Sequence, residues 1–545
     1  MVATLADLGV AAKLIELEHT RIEELRPAGV PSDAELEASH AVIGEVEIDV
    51  RDIFDQSDPR ENSGLYRLAN RLHRSSNPAS IRAQLLFASG DRYLGRKLAE
   101  TERNLRLLPY LYDARVVPMR FKDGKVDIRV TTKDVWTLSP GLSFSRAGGT
   151  NNSNANIQDT NILGTGKSLQ LGRTVTVDRS SDGLTWADPN TFGSRWTTAL
   201  AYIDSSDGEQ HTLQIAHPFY SLDTKGSVNI LGSMYDRTVS RYNLGNIVDQ
   251  FNDDETSYEL SGGLSKGVAN GWVTRWTFGA RYDHSLFVPT PVTTLPALQL
   301  PPERILSYPF VGFDVLQDDY RKVADFNQIG RTEDLYFGTE VSGELGYSNA
   351  SFGADRNAIM LAAKARSAFE ISHTQNLFLT STFSSRIEQG DPRNLIAMGN
   401  ATYYWRWRPD WLFYSSLAAT TTDALDPDAQ LLIGGDTGLR GYPLRYESGT
   451  SRALWTVEQR FYTDWYPFRL ARVGGAIFSD IGRTWGHGVI GNSDPGLLKD
   501  VGIGLRLGNT RTGLGNVLHI DLAFPLDHLA GIKSFQVLIQ AQQTF

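Results

Sequence analysis

The sequence predicts a small α+β domain followed by a large all-β domain, a transmembrane barrel of antiparallel strands. Three observations predict it. No apolar run approaches the roughly 18–20 residues that a spanning helix needs. A crossing chain must then close a barrel, because only helices and closed barrels satisfy every backbone polar group in lipid. Composition changes near Trp136: the chain is helical and charged before it, and strand follows strand after it, punctuated by Gly, Asn and Asp. Aromatic residues make up 10% of the chain and there are 50 glycines, which fits a barrel with interfacial aromatic girdles.

The remaining bulk numbers bound the function. A chain of 545 residues suits one small and one large domain. Hydrophobic content of 41% does not by itself declare a membrane protein. The net charge of −10 argues against a nucleic-acid partner, since phosphate binding wants a basic surface. Cysteine is absent, as suits passage through an oxidising compartment. The opening MVATLADLGVAAKLIELEHTRIEEL lacks a basic region followed by an apolar core. A mature or trimmed sequence with Met1 added is therefore expected.

Residues 1–38 read as a helical extension, with a helix over 3–26 that stops before the Pro27–Pro31 breaker. Residues 39–134 read as the small domain. A strand over 41–55 places Ile43, Val46, Ile48 and Val50 in an imperfect alternation. Leu65, Leu68 and Leu72 repeat at i, i+3 and i+7 and predict a short amphipathic helix. A second helix is expected from Asp91, its candidate N-cap, to Leu108, with Leu94, Leu98, Leu105 and Leu108 as a buried stripe. Strands at 113–121 and 125–131 are joined by Lys122-Asp123-Gly124, and Asp-Gly favours a tight hairpin. Val126, Ile128 and Val130 alternate, so one face of that hairpin packs on the helices.

Residues 135–545 read as the barrel. Candidate strands lie at 168–178, 193–204, 209–217, 225–235, 254–265, 270–285, 305–315, 335–348, 356–371, 375–387, 395–407 and 411–420. Five more lie at 452–463, 471–480, 500–508, 516–525 and 533–545. Short segments between 183 and 250 are candidates for loop hairpins outside the wall. In 516–525, Leu518, Ile520, Leu522 and Phe524 oppose His519, Asp521 and Ala523. In 500–508, Val501, Ile503, Leu505 and Leu507 oppose Gly502, Gly504, Arg506 and Gly508. A membrane barrel turns such an apolar face to lipid and the polar face to a wet lumen. No 40–50-residue repeat supports a propeller.

Several motifs carry a family resemblance. The order strand, helix, helix, strand, strand, and above all LLFASGDRYLGRKLAETERNLRLLPYLYDARVV at 85–117, resembles a polypeptide-transport-associated (POTRA) domain, here a single one. In LLIGGDTGLRGYPLRY at 431–446, Gly438-Leu439-Arg440-Gly441-Tyr442 resembles the loop that folds into the lumen of the outer-membrane assembly and translocation barrels typified by BamA and TamA, the bacterial surface antigen family. IFSDIG at 477–482 resembles the matching wall motif. Phe478 and Asp480 are two apart and share a face, with Gly482 completing the motif. A carboxylate facing lipid is expensive, so Asp480 is expected to face the lumen. Glu458 and Arg460 share a face opposite Trp455, Val457 and Phe461 and are candidates for the same network. The resemblance implies that Arg440 reaches in to a carboxylate and an aromatic on the wall, and it implies 16 antiparallel strands, slightly fewer than the candidates counted above. Asn161–Gly166 resembles the family's first hairpin. The terminal Phe545, in phase with Phe535, Val537 and Ile539, resembles an outer-membrane sorting signal.

Enzyme signals fail on context. Gly164-Thr-Gly-Lys-Ser168 looks like the tail of a P-loop, but Asn161 stands where its first glycine belongs and a strand follows instead of a helix. Gly263-Leu-Ser265-Lys-Gly267 matches a nucleophile elbow, yet the next element also reads as a strand. There is neither Cys nor His-Glu-x-x-His. No catalysis, metal or cofactor is expected. By resemblance, the chain sits in the outer membrane of a Gram-negative bacterium with its N-terminal domain in the periplasm. It assists insertion or translocation of client proteins without ATP. Its partners would be outer-membrane lipids, an unfolded client or exoprotein, and a periplasmic partner at the POTRA domain. The other readings are a passive or gated channel and a two-partner secretion transporter. The single module points to an accessory or specialised role.

Overall fold

The computed structural model describes residues 25–290, 300–329, 331–486, 495–511, 517–529 and 531–542. The helix expected over 3–26 and the terminal Phe545 lie outside them, except that residues 25 and 26 are described without regular structure.

The small domain runs α1 (Asp33–Ala38), β1 (Val42–Arg51), α2 (Gly64–Leu72), α3 (Pro78–Arg82), α4 (Gly95–Arg106), β2 (Leu111–Lys122) and β3 (Lys125–Asp134). Ser32 and Glu35 form a reciprocal capping box that starts α1. The sheet order is β1-β3-β2, with β1 parallel and β2 antiparallel to β3. A register shift between Ile43 and Val46 explains the imperfect alternation of β1. The extra residue lets Ile43 and Val46 both point inward although they are three apart. Asp123 and Gly124 both take positive φ (52° and 75°) in the β2–β3 turn. The core gathers Leu36, Ile43, Ile81, Leu98, Leu105 and Val126.

One expectation here is corrected. The helix starts at Gly95 and ends at Arg106, and Asp91 is not its cap. Residues 91–93 pair with β1 instead, through Ile43 N–H to Asp91 O and Tyr93 N–H to Ala41 O (both 2.8 Å). Glu37 Oε1 of α1 accepts from the orphan Gly95 N–H at 2.8 Å.

The large domain is a closed barrel of 20 antiparallel strands, which overturns the 16 that the resemblance implied. Every candidate segment contributes a wall strand. Leu138–Ala147, Thr150–Asp159 and Ser180–Asp188 join them, and the segments between 183 and 250 expected as loop hairpins are wall as well. Thr150–Asp159 reads TNNSNANIQD, an Asn-rich run with low intrinsic strand preference. Ladder bonds to both neighbours make it a strand, and no apolar alternation announces it.

Wall height is uneven. The six strands from Leu138 to His217 hold 8 to 10 residues each. Gly226–Asn243, Asn246–Ala269 and Trp272–Pro289 hold 18, 24 and 18. At the seam between the last strand, Gln536–Gln542, and the first, the register pair among the described residues is Ile539 with Arg146.

The small domain sits at one end of the barrel. Arg96 Nη2 donates to Asp223 Oδ2 at 2.6 Å and Arg511 Nη1 to Ile53 O at 2.7 Å. Asn77 N–H donates to Gly164 O at 2.8 Å. The Asn161–Gly166 segment is thus a turn at this end, between the second and third wall strands.

Candidate functional site in the barrel lumen

The wall strands around the site alternate as lipid-facing and lumenal surfaces should. On Ala471–Trp485, Phe478 and Asp480 are buried while Ile477 is 56% exposed. On Leu498–Asn509, Arg506 is fully buried and Ile503 is exposed. His519 and Asp521 point inward from Val517–Pro525.

From the end away from the small domain, the segment between strands Trp411–Asp423 and Ser451–Tyr462 folds into the lumen. Leu431–Ile433 pairs with Glu447–Gly449 to form its base. The tip is led by Gly438, whose φ of 111° favours glycine. Arg440 then meets Asp480 through two parallel bonds, Nε to Oδ2 at 2.7 Å and Nη2 to Oδ1 at 2.9 Å. Its Nη1 donates to Glu458 Oε1 at 2.7 Å and to Asp521 Oδ2 at 3.3 Å. The guanidinium lies 3.4 Å from the centroid of the Phe478 ring, so it is also a cation–π partner. Thr456 Oγ1 donates to Asp480 Oδ1 at 2.8 Å.

The remaining motif residues fix the loop. Gly441 N–H donates to Asp500 Oδ2 at 2.9 Å. A Cβ at Gly441 would lie 2.8 Å from Asp500 Cβ, so the close approach requires glycine. The Tyr442 ring is buried, and its hydroxyl donates to Asp527 Oδ2 at 2.6 Å. At Gly482 a Cβ would meet Ile433 Cδ1 of the loop base at 2.6 Å. Arg460 Nε donates to Glu458 Oε2 at 2.9 Å. The structure therefore brings Arg440, Gly441, Tyr442, Glu458, Arg460, Phe478, Asp480 and Gly482 into one cluster. Phe545 lies outside the described residues.

Sequence reasoning missed three members. Asp521 and Arg506 are ion-paired to each other and reach Arg440 and Glu458 respectively, while Asp500 holds Gly441. The parity of their strands already put Asp521 and Arg506 on the polar face. Parity assigns a face, but the level along the barrel depends on register, which no single strand reveals.

A second insertion enters from the other end and was not expected. Tyr320–Ala324 and Thr332–Tyr336 form a hairpin apart from the wall. Its tip residues Phe326 and Ile329 pack on Tyr404, Leu412, Tyr462 and Val517. Tyr462 OH donates to Phe326 O at 3.3 Å, as does Arg460 Nη1 at 3.5 Å, and Tyr404 OH donates to Asn327 Oδ1 at 2.9 Å. Outside, Arg106 of α4 grips Asp334 with two bonds of 2.7 and 2.6 Å. Lys322 reaches Glu102 at 2.5 Å, and Arg103 stacks 3.6 Å over Tyr320. Glu458 and Arg460 thus join the two insertions. Beside the hairpin, a cleft of about 880 Å³ lies between α4 and the wall, lined by Arg275, Asp314, Glu340 and Arg366.

No family model matches the chain, and no curated relative matches it. Among solved structures it is similar to BamA from Haemophilus ducreyi lacking POTRA domains 1–3, at 14% identity over 91% of this chain and 84% of that one, with a TM-score of 0.36. It is also similar to CdiB from Acinetobacter baumannii, at 13% identity over 92% and 74%, TM-score 0.42. CdiB from Escherichia coli gives 13% identity over 92% and 76%, TM-score 0.47.

Proposed function

We propose that this chain is an outer-membrane barrel that assists insertion or translocation of client proteins without ATP and without catalysis of its own. The observation that carries the reading is the inserted loop, whose Arg440 is held by Asp480, Glu458 and Phe478. An outward-facing apolar wall and an inward cluster of paired charges suit a membrane-embedded barrel. The small domain, read as a single POTRA module in the periplasm, receives an unfolded client by lending it a sheet edge. The seam beside Arg146 and Ile539 then admits the client. Lipids and a periplasmic partner complete the set of contacts.

The test uses the full chain in proteoliposomes with a urea-unfolded barrel client, scored by heat-modifiability on gels. The chain should speed client assembly. Because it has no native cysteine, an Arg146→Cys/Ile539→Cys pair can tie the seam by oxidation. Oxidation should abolish the stimulation and reductant should restore it. Unchanged stimulation with a tied seam would remove the seam from the mechanism, and no stimulation by the parent chain would defeat the assembly reading. In planar bilayers the intact protein should conduct poorly, since the lumen is entered from both ends; large, stable, porin-like steps would favour the channel reading.

A further inference from the structure

The leucine repeat that marks α2 in the sequence does not serve the core of the small domain. Leu65, Leu68 and Leu72 are 70%, 47% and 68% exposed. The opposite face does the packing. Tyr66 stacks on Phe54 at 4.4 Å, and the Asn70 side chain bonds both the N–H and the O of Phe54. Arg67 and Arg71, both exposed, border the leucine stripe on the helix surface, and Arg74 follows just beyond the end. A leucine stripe flanked by arginines is the pattern of a helix that lies in a membrane interface.

Its position in the fold says which surface it meets. Tyr66 OH donates to Phe468 O at 2.7 Å, in the turn that leads into strand Ala471–Trp485. Beyond the C-terminal end of α2, Asn161 Nδ2 donates to Ser76 Oγ at 2.8 Å. The stretch from Tyr66 to Ser76 therefore runs between two wall turns on either side of the seam. These turns present apolar side chains outward. Phe468 and Leu163 are 81% and 71% exposed, and both sit at positive φ (52°). A bulky side chain held there is strained, and neither side chain gains burial in the protein in return. Next to Phe468 the wall carries an aromatic band at the same end: exposed Trp465, then Phe461 against Trp411 at 4.6 Å and Trp411 against Trp407 at 5.0 Å, with Arg408 over both indoles. Such a band marks the lipid–water boundary of a barrel, and α2, bonded to Phe468 through Tyr66, lies at the same end with its leucine face uncovered.

We propose that the leucine face of α2 lies in the headgroup–acyl boundary of the inner leaflet, seating the small domain on phospholipid under the seam, with Arg67, Arg71 and Arg74 against lipid phosphates. This rests on the outer-membrane reading above and adds to it a lipid contact made by the small domain itself. The test is site-directed spin labelling of the full chain in phosphatidylethanolamine–phosphatidylglycerol bilayers. Single cysteines replace Leu68 and Leu72, with Leu65→Cys in reserve should either variant lose the heat-modifiable band of a folded barrel. Lys122→Cys, on the exposed β2–β3 turn, reports water, and Ile503→Cys, on the outer wall, reports the bilayer core. Collision with a water-soluble nickel chelate should fall at positions 68 and 72 on the order of ten-fold below position 122, while collision with oxygen rises. Chelate access equal to that at 122 would overturn the proposal while leaving a lipid-buried Ile503 intact. Low access to both reagents would mean that protein covers the face, and would overturn it too. A water-exposed Ile503 would defeat the outer-membrane reading and the proposal together.

Discussion

The inserted loop at 431–446 and the hairpin at 320–336 enter the lumen from opposite ends, and both end on the strand Ser451–Tyr462. They are held by different forces. The loop arrives as a cation met by three carboxylates and a ring face. The hairpin arrives as two apolar side chains and a backbone carbonyl, and two of its charges, Asp334 and Lys322, pair outside with α4. Charge pairing in a partly dehydrated lumen is sensitive to the loss of either partner, whereas apolar packing degrades in proportion to the volume removed. The loop should therefore behave as a latch that fails all at once, and the hairpin as a wedge that loosens by degrees.

The largest effect should come from breaking the latch. Arg440→Ala leaves the buried Asp480 without its cation and should cost about 3–5 kcal/mol, while Asp480→Ala leaves Arg440 with Glu458 and Asp521 and should cost less. Gels would show this as a lower temperature for loss of the compact band. The double variant should be less damaged than the sum of the singles. Full additivity would mean that the two residues do not act as a pair. Phe326→Ala at the hairpin tip should cost about 3 kcal/mol, and Phe326→Leu clearly less. If both hairpin variants matched Arg440→Ala in severity, the contrast between latch and wedge would collapse.

The smallest predicted effect is a pH response at the base of the hairpin. Burial raises the Glu102 carboxyl, but Arg106 and Lys322 outweigh it and hold the group below its ordinary value of 4.5. A depressed folded pKa contributes stability that is complete above 4.5 and disappears as pH falls through the folded value. A spin label at Thr332→Cys should therefore become more mobile as pH falls through the folded value, which lies below 4.5, and the change should be absent in Glu102→Gln. Mobility that keeps its pH 7 level as pH is lowered until the barrel itself unfolds would show that α4 does not hold the hairpin through this carboxylate.

The same contrast governs what the sequence made legible. Arg440 and Asp480 could be paired in advance because the loop and the wall motif each carry their family resemblance in a short local stretch, and that resemblance implies the contact. Asp521 and Arg506 had the right face but no readable height. The hairpin had no such signature. TEDLY and YRKVA are short and polar, and the candidate strand at 335–348 absorbed part of them. Phe326 and Ile329 become lumen residues through contacts with Tyr404, Leu412, Tyr462 and Val517, which are 75 to 191 positions away in the chain. The three unmarked wall strands failed for a related reason. Ser180–Asp188 and Thr150–Asp159 lie among the short strands near the seam, where ladder bonds and not apolar alternation define the strand.

The uneven wall has a consequence for the surrounding bilayer. Strands of 8 to 10 residues at about 3.4 Å per residue and about 45° of tilt rise only about 20–24 Å. The 24-residue strand Asn246–Ala269 on the same terms rises nearly 60 Å. One hydrocarbon slab of about 25 Å must meet both. On the tall side the surplus stands clear in water, and lipid there keeps its rest thickness. On the short side the acyl chains must compress or the barrel must lean, at a fraction of a kcal/mol per ångström of mismatch. Elastic energy is then stored in the membrane next to the seam, not in the protein. Under the proposed insertion reading, a client strand that heightened the short side would relax it, so the lipid itself would favour occupancy of the seam.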